Sequence, residues 1–144
     1  MTSDITLNRF LSAQQLIYPQ VLKELRNGKK TSHWMWFIFP QIEGLGHSST
    51  AKYYSIKTIE EAKEYLTHPI LGKRLLECSN IILEIQNKTA DEIFGYPDTA
   101  KLKSSMTLFN FLAPDQKVFA AVLKKYFAGE QDEQTLSILQ KMDG

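Results

Sequence analysis

The chain has 144 residues, of which 43% are hydrophobic and 23% are charged, and this composition predicts one packed domain over residues 1–144. A formal net charge of +1, from 17 Lys and Arg against 16 Asp and Glu, argues against general nucleic-acid binding, which needs clustered positive charge. The single cysteine excludes an intramolecular disulfide. Since no secretory signal and no apolar run of membrane-spanning length is present, we expect a cytoplasmic protein without membrane association.

The first part of the chain predicts a helix that is broken or kinked near its middle. Apolar residues recur at helical spacing from Phe10 to Leu25, and Asn8 is the expected N-cap. Pro19 interrupts this pattern because proline disfavours a helix interior, so we expect a break or a kink, with Pro19 at the start of the second half. Gly28 is expected to end it.

An unusual segment follows, with the sequence His-Trp-Met-Trp-Phe-Ile-Phe at residues 33–39. It is too short and too uniformly apolar for periodicity to separate a strand from a helix. A lone strand among helical signals would leave its backbone groups unpaired. We therefore expect a short buried helix, capped by Ser32 and ended by Pro40.

The middle of the chain predicts three further helices. Ser48 or Ser49 begins a short one, and Thr58 caps the next. The clearest helix begins at Pro69, because its apolar residues alternate in steps of four and three. Gly72 lies in its first turn, where a small side chain permits close packing. The apolar stripe of this helix consists of Leu71, Leu75, Cys78, Ile82 and Ile85.

The last part of the chain predicts a short turn and three helices. Thr89 caps the turn and Asp98 caps the first helix; the second follows Pro114 and ends at Gly129. The final helix, over residues 132–142, presents Leu136, Leu139 and Met142. Strand signals are nearly absent. The sequence therefore predicts a compact all-α domain of seven or eight helices.

Common patterns of metal, cofactor and nucleophile chemistry are missing from the sequence. No histidine has another histidine one helical turn away, and there is no Cys-x-x-Cys, so we expect no metal site and no cofactor. Cys78 lies on an apolar stripe, where a thiol is unreactive. Glu24 lies near a helix end, where it could pair with a lysine.

The loop after the double-tryptophan segment is the best candidate for a site. Gly44 and Gly46 let the backbone approach a ligand, and Ser48 stands at a helix start, where free amides attract anions. Glu43 is the loop carboxylate beside the aromatic run, where apolar surroundings would suit an acid or base catalyst. An exposed loop carboxylate is the alternative.

Aromatic and polar side chains around this loop would complete a pocket. Trp34, Trp36 and Tyr53 could stack on a base or a sugar, and His33 and Gln41 bracket the aromatic run as polar groups. Together they suggest a site for a phosphate-bearing small molecule such as a nucleotide. The alternative is that the glycines serve a turn, the serine caps a helix and the rings belong to the core, since neither common phosphate-loop pattern is matched.

Three more residues could face that pocket. Lys101 and Ser105 are four residues apart and therefore share one helix face. Arg74 borders the apolar stripe of its helix. Its guanidinium could bind an anion through two N–H donors. Alternatively, its aliphatic stem could cover apolar surface in a structural role.

Long segments of the chain resemble a bacterial family of uncharacterised, all-helical, single-domain proteins. They include ELRNGKKTSHWMWFIFPQIEGLGHSS, EAKEYLTHPILGKRLLE and IFGYPDTAKLKSSMTLF. The resemblance covers nearly the whole chain, and its most specific part is His-Trp-Met-Trp-Phe-x-Phe-Pro-Gln. It implies a compact multihelical fold and supplies no activity, cofactor or catalytic residue. Some members carry the label calpastatin, but inhibitors of that type are long, polar and disordered, unlike this chain.

A fainter similarity runs to helical N-glycosidases that act on ADP-ribosylated nucleobases or riboflavin-pathway intermediates. Their catalytic motif does not map onto this sequence residue by residue, so the similarity is one of general architecture.

Two functions follow as expectations. In the first, the protein binds or hydrolyses a nucleotide-like molecule of the ADP-ribose type, with Glu43 as acid or base. In the second, it is a non-catalytic protein-interaction module, marked by an exposed aromatic patch. The sequence leaves the oligomeric state open.

Overall fold

A computed structural model describes residues 2–143, with side chains from residue 7 onward. Over this range the chain forms ten α-helices and no strand, which confirms the all-α prediction. None of these helices combines the length and the apolar character needed to cross a membrane. In chain order the helices are α1 Thr2–Gln14, α2 Tyr18–Arg26, α3 Met35–Ile38, α4 Ser49–Tyr54, α5 Ile59–Thr67, α6 Leu71–Glu84, α7 Ala90–Ile93, α8 Asp98–Leu112, α9 Lys117–Phe127 and α10 Glu133–Asp143. The count exceeds seven or eight because the chain breaks completely between α1 and α2, and because the turn predicted after Thr89 is a four-residue helix.

The break between α1 and α2 follows the prediction, but the start of α1 does not. Pro19 lies in the first turn of α2, and Gly28 adopts a φ of +71° just after its end. Asn8 is not an N-cap, because α1 already begins at Thr2 and Asn8 lies inside it on the exposed side. Helix-compatible residues before Asn8 extend the helix towards the N-terminus.

Two further predicted caps are wrong. Trp34, and not Ser32, occupies the N-cap position of α3, because the Ser32 hydroxyl donates to a glutamate on α2. Pro97 occupies the N-cap position of α8, and Asp98 is its first residue. The carboxylate of Asp98 lies 2.7 Å from Nζ of Lys30, so it joins two distant segments instead of capping its own helix.

The core lies between α6, α8 and α9. Helix α8 packs on α9, α9 packs on α6, and α6 packs on α5 and α2. The first four residues of the predicted α6 stripe are buried, and Ile85 is half-buried. Burial of each such side chain stabilises the fold by about 1.5–3 kcal/mol.

Gly72 sets the distance between α5 and α6. A Cβ atom at Gly72 would lie 1.9 Å from the backbone oxygen of Leu66. Only a residue without a side chain lets the end of α5 approach α6 this closely, as the sequence predicted.

A short parallel bridge holds the loop between α3 and α4. The amide of Glu43 donates to the oxygen of Ile56 at 2.8 Å, and the amide of Ile56 donates to the oxygen of Gln41 at 2.8 Å. Arg9 fastens the same region from α1, since its guanidinium donates to the backbone oxygens of Tyr53 and Ser55. The loop that carries Gln41, Glu43, Gly44, Gly46 and Ser48 is therefore held at its start by Ile56, and Arg9 holds the end of the helix that follows it.

Candidate functional site

The two tryptophans occupy different environments. Trp34 is fully buried, and its Nε1 donates to Oε1 of Glu24 at 2.9 Å. Its ring lies against Phe39 and Phe94, with centroid distances of 6.3 Å and 6.5 Å. Trp34 is therefore part of the core and does not reach a ligand at the surface.

Glu24 is a buried carboxylate surrounded by neutral donors. Its exposed fraction is 3%, and it accepts hydrogen bonds from Gln20, from the amides of Thr31 and Ser32, and from the Ser32 hydroxyl. Burial acts to raise the pKa of this carboxyl, but the hydrogen bonds outweigh burial and hold the pKa well below its usual range. The partners are thus neutral groups and not the lysine suggested by the sequence. Glu24 ties the start of the aromatic segment to α2.

Trp36 points to a different side of the segment and is half-buried. Nζ of Lys101 lies 4.6 Å from its ring centroid, a cation–π contact. The same ammonium lies 3.4 Å from Asp98, whose other oxygen is 2.7 Å from Lys30. Lys30 in turn lies 5.3 Å from the ring centroid of Trp34. The carboxylate of Asp98 is thus shared by two ammonium groups, and each ammonium lies over the ring of one tryptophan. These three charged groups have a net charge of +1.

A cleft of about 210 Å³ opens beside Lys101, and we call it the Lys101 cleft. It lies between the loop after α3, the start of α8 and the segment before α10. Its wall includes Gln41, Gly46, Pro97, Lys101, Asp132 and Gln134. A larger cavity of about 570 Å³ shares Asp132 and Gln134 with it and extends to Lys103.

Asp132 is the carboxylate in the wall of this cleft. Its Oδ2 accepts from the amide and the hydroxyl of Thr135, at 2.9 Å and 2.6 Å. Its own amide donates to Thr107. These contacts fix the side chain, and Oδ1 accepts no hydrogen bond from the described residues. The sequence indicated Asp132 only as the start of the last helix, because the contact with Thr107 that places it beside α8 spans 25 positions of the chain.

Glu43, the predicted catalytic residue, lies outside the cleft wall. It is exposed and pairs with Nζ of Lys57 at 3.2 Å. Of the two glycines beside it, Gly44 adopts a φ of +111°. Gly46 lies in the cleft wall, and a Cβ atom there would come within 2.5 Å of Cβ of Ala51. The glycines therefore let the loop turn and pack closely on α4.

Three other residues that were predicted to contact a ligand lie at the surface, away from the cleft wall. Ser48 caps α4 by accepting from the amide of Ala51 at 3.0 Å, as the sequence predicted. His33 is exposed in the connection between α2 and α3. Tyr53 is 58% exposed, and its ring meets Tyr54 edge-on at 4.8 Å.

Ser105 and Arg74 complete the predicted set. Ser105 is fully buried on α8, and its hydroxyl has no hydrogen-bond partner in the described part of the chain. Arg74 lines a separate pocket beside the start of α6. The structure thus brings together Gln41, Gly46 and Lys101, with Trp36 directly beneath Lys101.

The one thiol is buried on α6, close to Tyr18. Burial raises the pKa of Cys78 to about 12, so the group stays protonated at neutral pH. Across residues 7–143, no three side chains of His, Cys, Asp or Glu come together to hold a metal ion.

The chain matches a family described as Protein of unknown function (DUF1810) over residues 4–139. It is similar to the crystal structure, at 1.38 Å, of the conserved hypothetical protein Rv1873 from Mycobacterium tuberculosis. The two share 46% sequence identity over 97% of this chain and 99% of that chain, with a TM-score of 0.94. None of the curated proteins compared with the chain matches it. These matches support the helical architecture, and neither description states an activity.

Proposed function

Since the chain belongs to the DUF1810 family of proteins of unknown function, we propose a function from its own geometry: the Lys101 cleft binds a phosphate-bearing, nucleotide-like small molecule of the ADP-ribose type.

The observation that carries this proposal is the ammonium of Lys101, fixed over the ring of Trp36 at the cleft wall. Asp98 neutralises it only in part, because Nζ of Lys30 lies closer to the same carboxylate, at 2.7 Å against 3.4 Å. A held cation with incomplete neutralisation attracts a phosphate, and its side chain needs little further ordering to bind one.

Polar groups suited to sugar hydroxyls line the rest of the wall. The free Oδ1 of Asp132 can accept from a ribose hydroxyl, and the amides of Gln41 and Gln134 can both donate and accept. Tyr96 is 94% exposed and directly precedes Pro97 of the wall. Its ring is available to stack on a base.

The size of the cavity matches one part of such a ligand. About 210 Å³ is less than the usual volume of a small-molecule site, roughly 300–1,000 Å³. The adjoining cavity of about 570 Å³ supplies the remaining space. We infer that one phosphate and its sugar occupy the Lys101 cleft, while the rest of the ligand extends towards Lys103.

Of the two activities expected from the sequence, binding and hydrolysis, hydrolysis has less support. Cleavage of a glycosidic bond needs a carboxylate next to the ligand. Asp132 meets that condition and Glu43, paired with Lys57 outside the wall, does not. We therefore propose binding as the function and Asp132 as the residue to test for catalysis. We place the protein in the cytoplasm, where a lone thiol such as Cys78 stays reduced.

A thermal-shift screen with ADP-ribose, NAD, AMP and ribose 5-phosphate tests the proposal. A ligand at ten times its Kd stabilises the folded state by about 1.4 kcal/mol, which corresponds to a rise in Tm of roughly 3–6 °C. Lys101→Met should abolish the rise, and Lys117→Met, which removes an exposed lysine on α9, should not. No rise with any probe, or an equal rise in Lys101→Met, would contradict the proposal.

A non-catalytic interaction module is the second candidate. It is favoured by two apolar side chains that face water almost completely, Leu16 at 93% and Tyr96 at 94%. They lie on separate connections, between α1 and α2 and between α7 and α8, so we rank this function below ligand binding.

A further inference from the structure

A pocket of about 300 Å³ opens beside the start of α6. Its wall is formed by Tyr18, Pro69, Ile70, Lys73, Arg74 and Glu77, none of which lines the Lys101 cleft. The pocket therefore has to be explained separately from the proposed function.

Arg74 is held in one orientation at this pocket. Its Nη1 donates to Oε1 of Gln14 at 3.2 Å, and its guanidinium lies 4.5 Å from the ring centroid of Tyr18. Gln14 is itself fully buried, and its Nε2 donates to the backbone oxygen of Phe37 at 2.7 Å. The guanidinium is thus fixed by a chain of contacts that reaches the core.

Arg74 carries a charge that no described carboxylate pairs with directly. Among the described residues its guanidinium forms no ion pair with a carboxylate. Glu77, the acidic residue of the wall, accepts instead from the hydroxyl of Tyr18 at 2.5 Å. Lys73 adds a second cation on the exposed side. The wall therefore holds two positive charges and one negative charge, which is hydrogen-bonded to Tyr18.

Another part of the wall is apolar. Pro69 and Ile70 form it, and Ile70 is 44% exposed, so a large aliphatic side chain faces water at the pocket. An immobilised guanidinium next to an apolar surface suits a molecule with an oxyanion at one end and an apolar body at the other.

We propose that this Arg74 pocket is a second binding site, which takes a small organic oxyanion. The carboxylate or phosphate of the ligand accepts hydrogen bonds from the free nitrogens of Arg74, Lys73 adds attraction, and the apolar body covers Ile70. The site does not depend on the function proposed for the Lys101 cleft.

Titrations of ¹⁵N-labelled protein with benzoate and with inorganic phosphate test this site. We expect saturable shifts of the amides of residues 70–78, with a Kd of the order of 1 mM. Arg74→Met should weaken binding at least tenfold. Lys124→Met, a matched loss of one exposed lysine on α9, should leave it unchanged. A response to benzoate alone identifies a carboxylate ligand with an apolar body, and a response to phosphate alone identifies a phosphate ligand.

A second variant covers the case in which Arg74→Met does not fold. Ile70 directly precedes the first turn of α6, where the helix dipole favours a negative charge, so Ile70→Asp should fold while it brings a carboxylate to the pocket. We expect it to abolish anion binding. Absence of saturable shifts with both probes, or binding by Ile70→Asp as tight as by the parent chain, would overturn the proposal. Lys101→Met should bind both probes normally, which separates this outcome from failure of the Lys101 cleft.

Discussion

Nε1 of Trp34 donates a hydrogen bond of 2.9 Å to Oε1 of Glu24. This contact separates the roles of the two tryptophans. Trp34 is locked into the core by a buried carboxylate, and the backbone turn of α3 then directs Trp36 to Lys101. The candidate site therefore depends on a structural anchor that itself makes no contact with a ligand.

Replacement of Glu24 by glutamine should destabilise the fold. One carboxylate oxygen would become an NH₂ group facing donors, so several buried hydrogen bonds would be lost. We expect a loss of about 2–4 kcal/mol in the free energy of unfolding, measured by urea denaturation. The exposed Glu84→Gln on α6 is the matched control and should change stability by less than about 0.5 kcal/mol.

The same carboxylate predicts a pH dependence. The pKa of Glu24 lies below its ordinary value of 4.5 in the folded state, so its contribution to stability is fully present above that value and is lost as pH falls further. The stability difference between the parent chain and Glu24→Gln should be greatest near neutral pH and should shrink below pH 4.5. Each unit by which folding lowers the pKa corresponds to about 1.4 kcal/mol of stability. A stability difference that stays constant down to pH 3 would show that the charge of Glu24 is not what stabilises the fold.

Gly72→Ala should destabilise the protein although alanine is the better helix former. The added Cβ would lie 1.9 Å from the backbone oxygen of Leu66, and a backbone atom cannot rotate away. We expect a net loss of about 2 kcal/mol, measured by urea denaturation. Asn80→Ala, on the exposed side of the same helix, should have almost no effect. Equal stability of the two variants would mean that α5 and α6 are farther apart than described.

Cys78 should not react in the native protein. Burial raises its pKa to about 12, so neither access nor thiolate is available at pH 8. A disulfide reagent should label it only after unfolding, and Ser137→Cys on the exposed side of α10 should add a thiol that reacts at once. Rapid labelling of Cys78 in the folded parent chain would contradict its placement in the core.

Local patterns were sufficient to predict most of the fold. The stripe of α6 from Leu71 to Ile82, the caps Thr58 and Thr89, and the close packing at Gly72 all depend on residues a few positions apart. Such short-range patterns can be recognised in the sequence because helix geometry repeats every few residues.

The candidate site was predictable only in part, because long-range contacts place its members. Lys101 was identified from its helix face, but its contact with Trp36 spans 65 positions of the sequence. Asp132 lines the cleft only because the segment before α10 packs beside α8. Glu43 follows the aromatic run in sequence, yet the bridge between Ile42 and Ile56 leaves it facing Lys57 and water.

The most direct test of the Lys101 cleft uses the indole N–H signals of the two tryptophans in an NMR titration with ADP-ribose. The buried Trp34, bonded to Glu24, is an internal control. We predict that the Trp36 signal shifts and saturates while the Trp34 signal stays in place, and that Lys101→Met removes the shift. If neither signal moves at millimolar ligand, or if Trp36 responds equally in Lys101→Met, the cleft does not bind this ligand through Lys101.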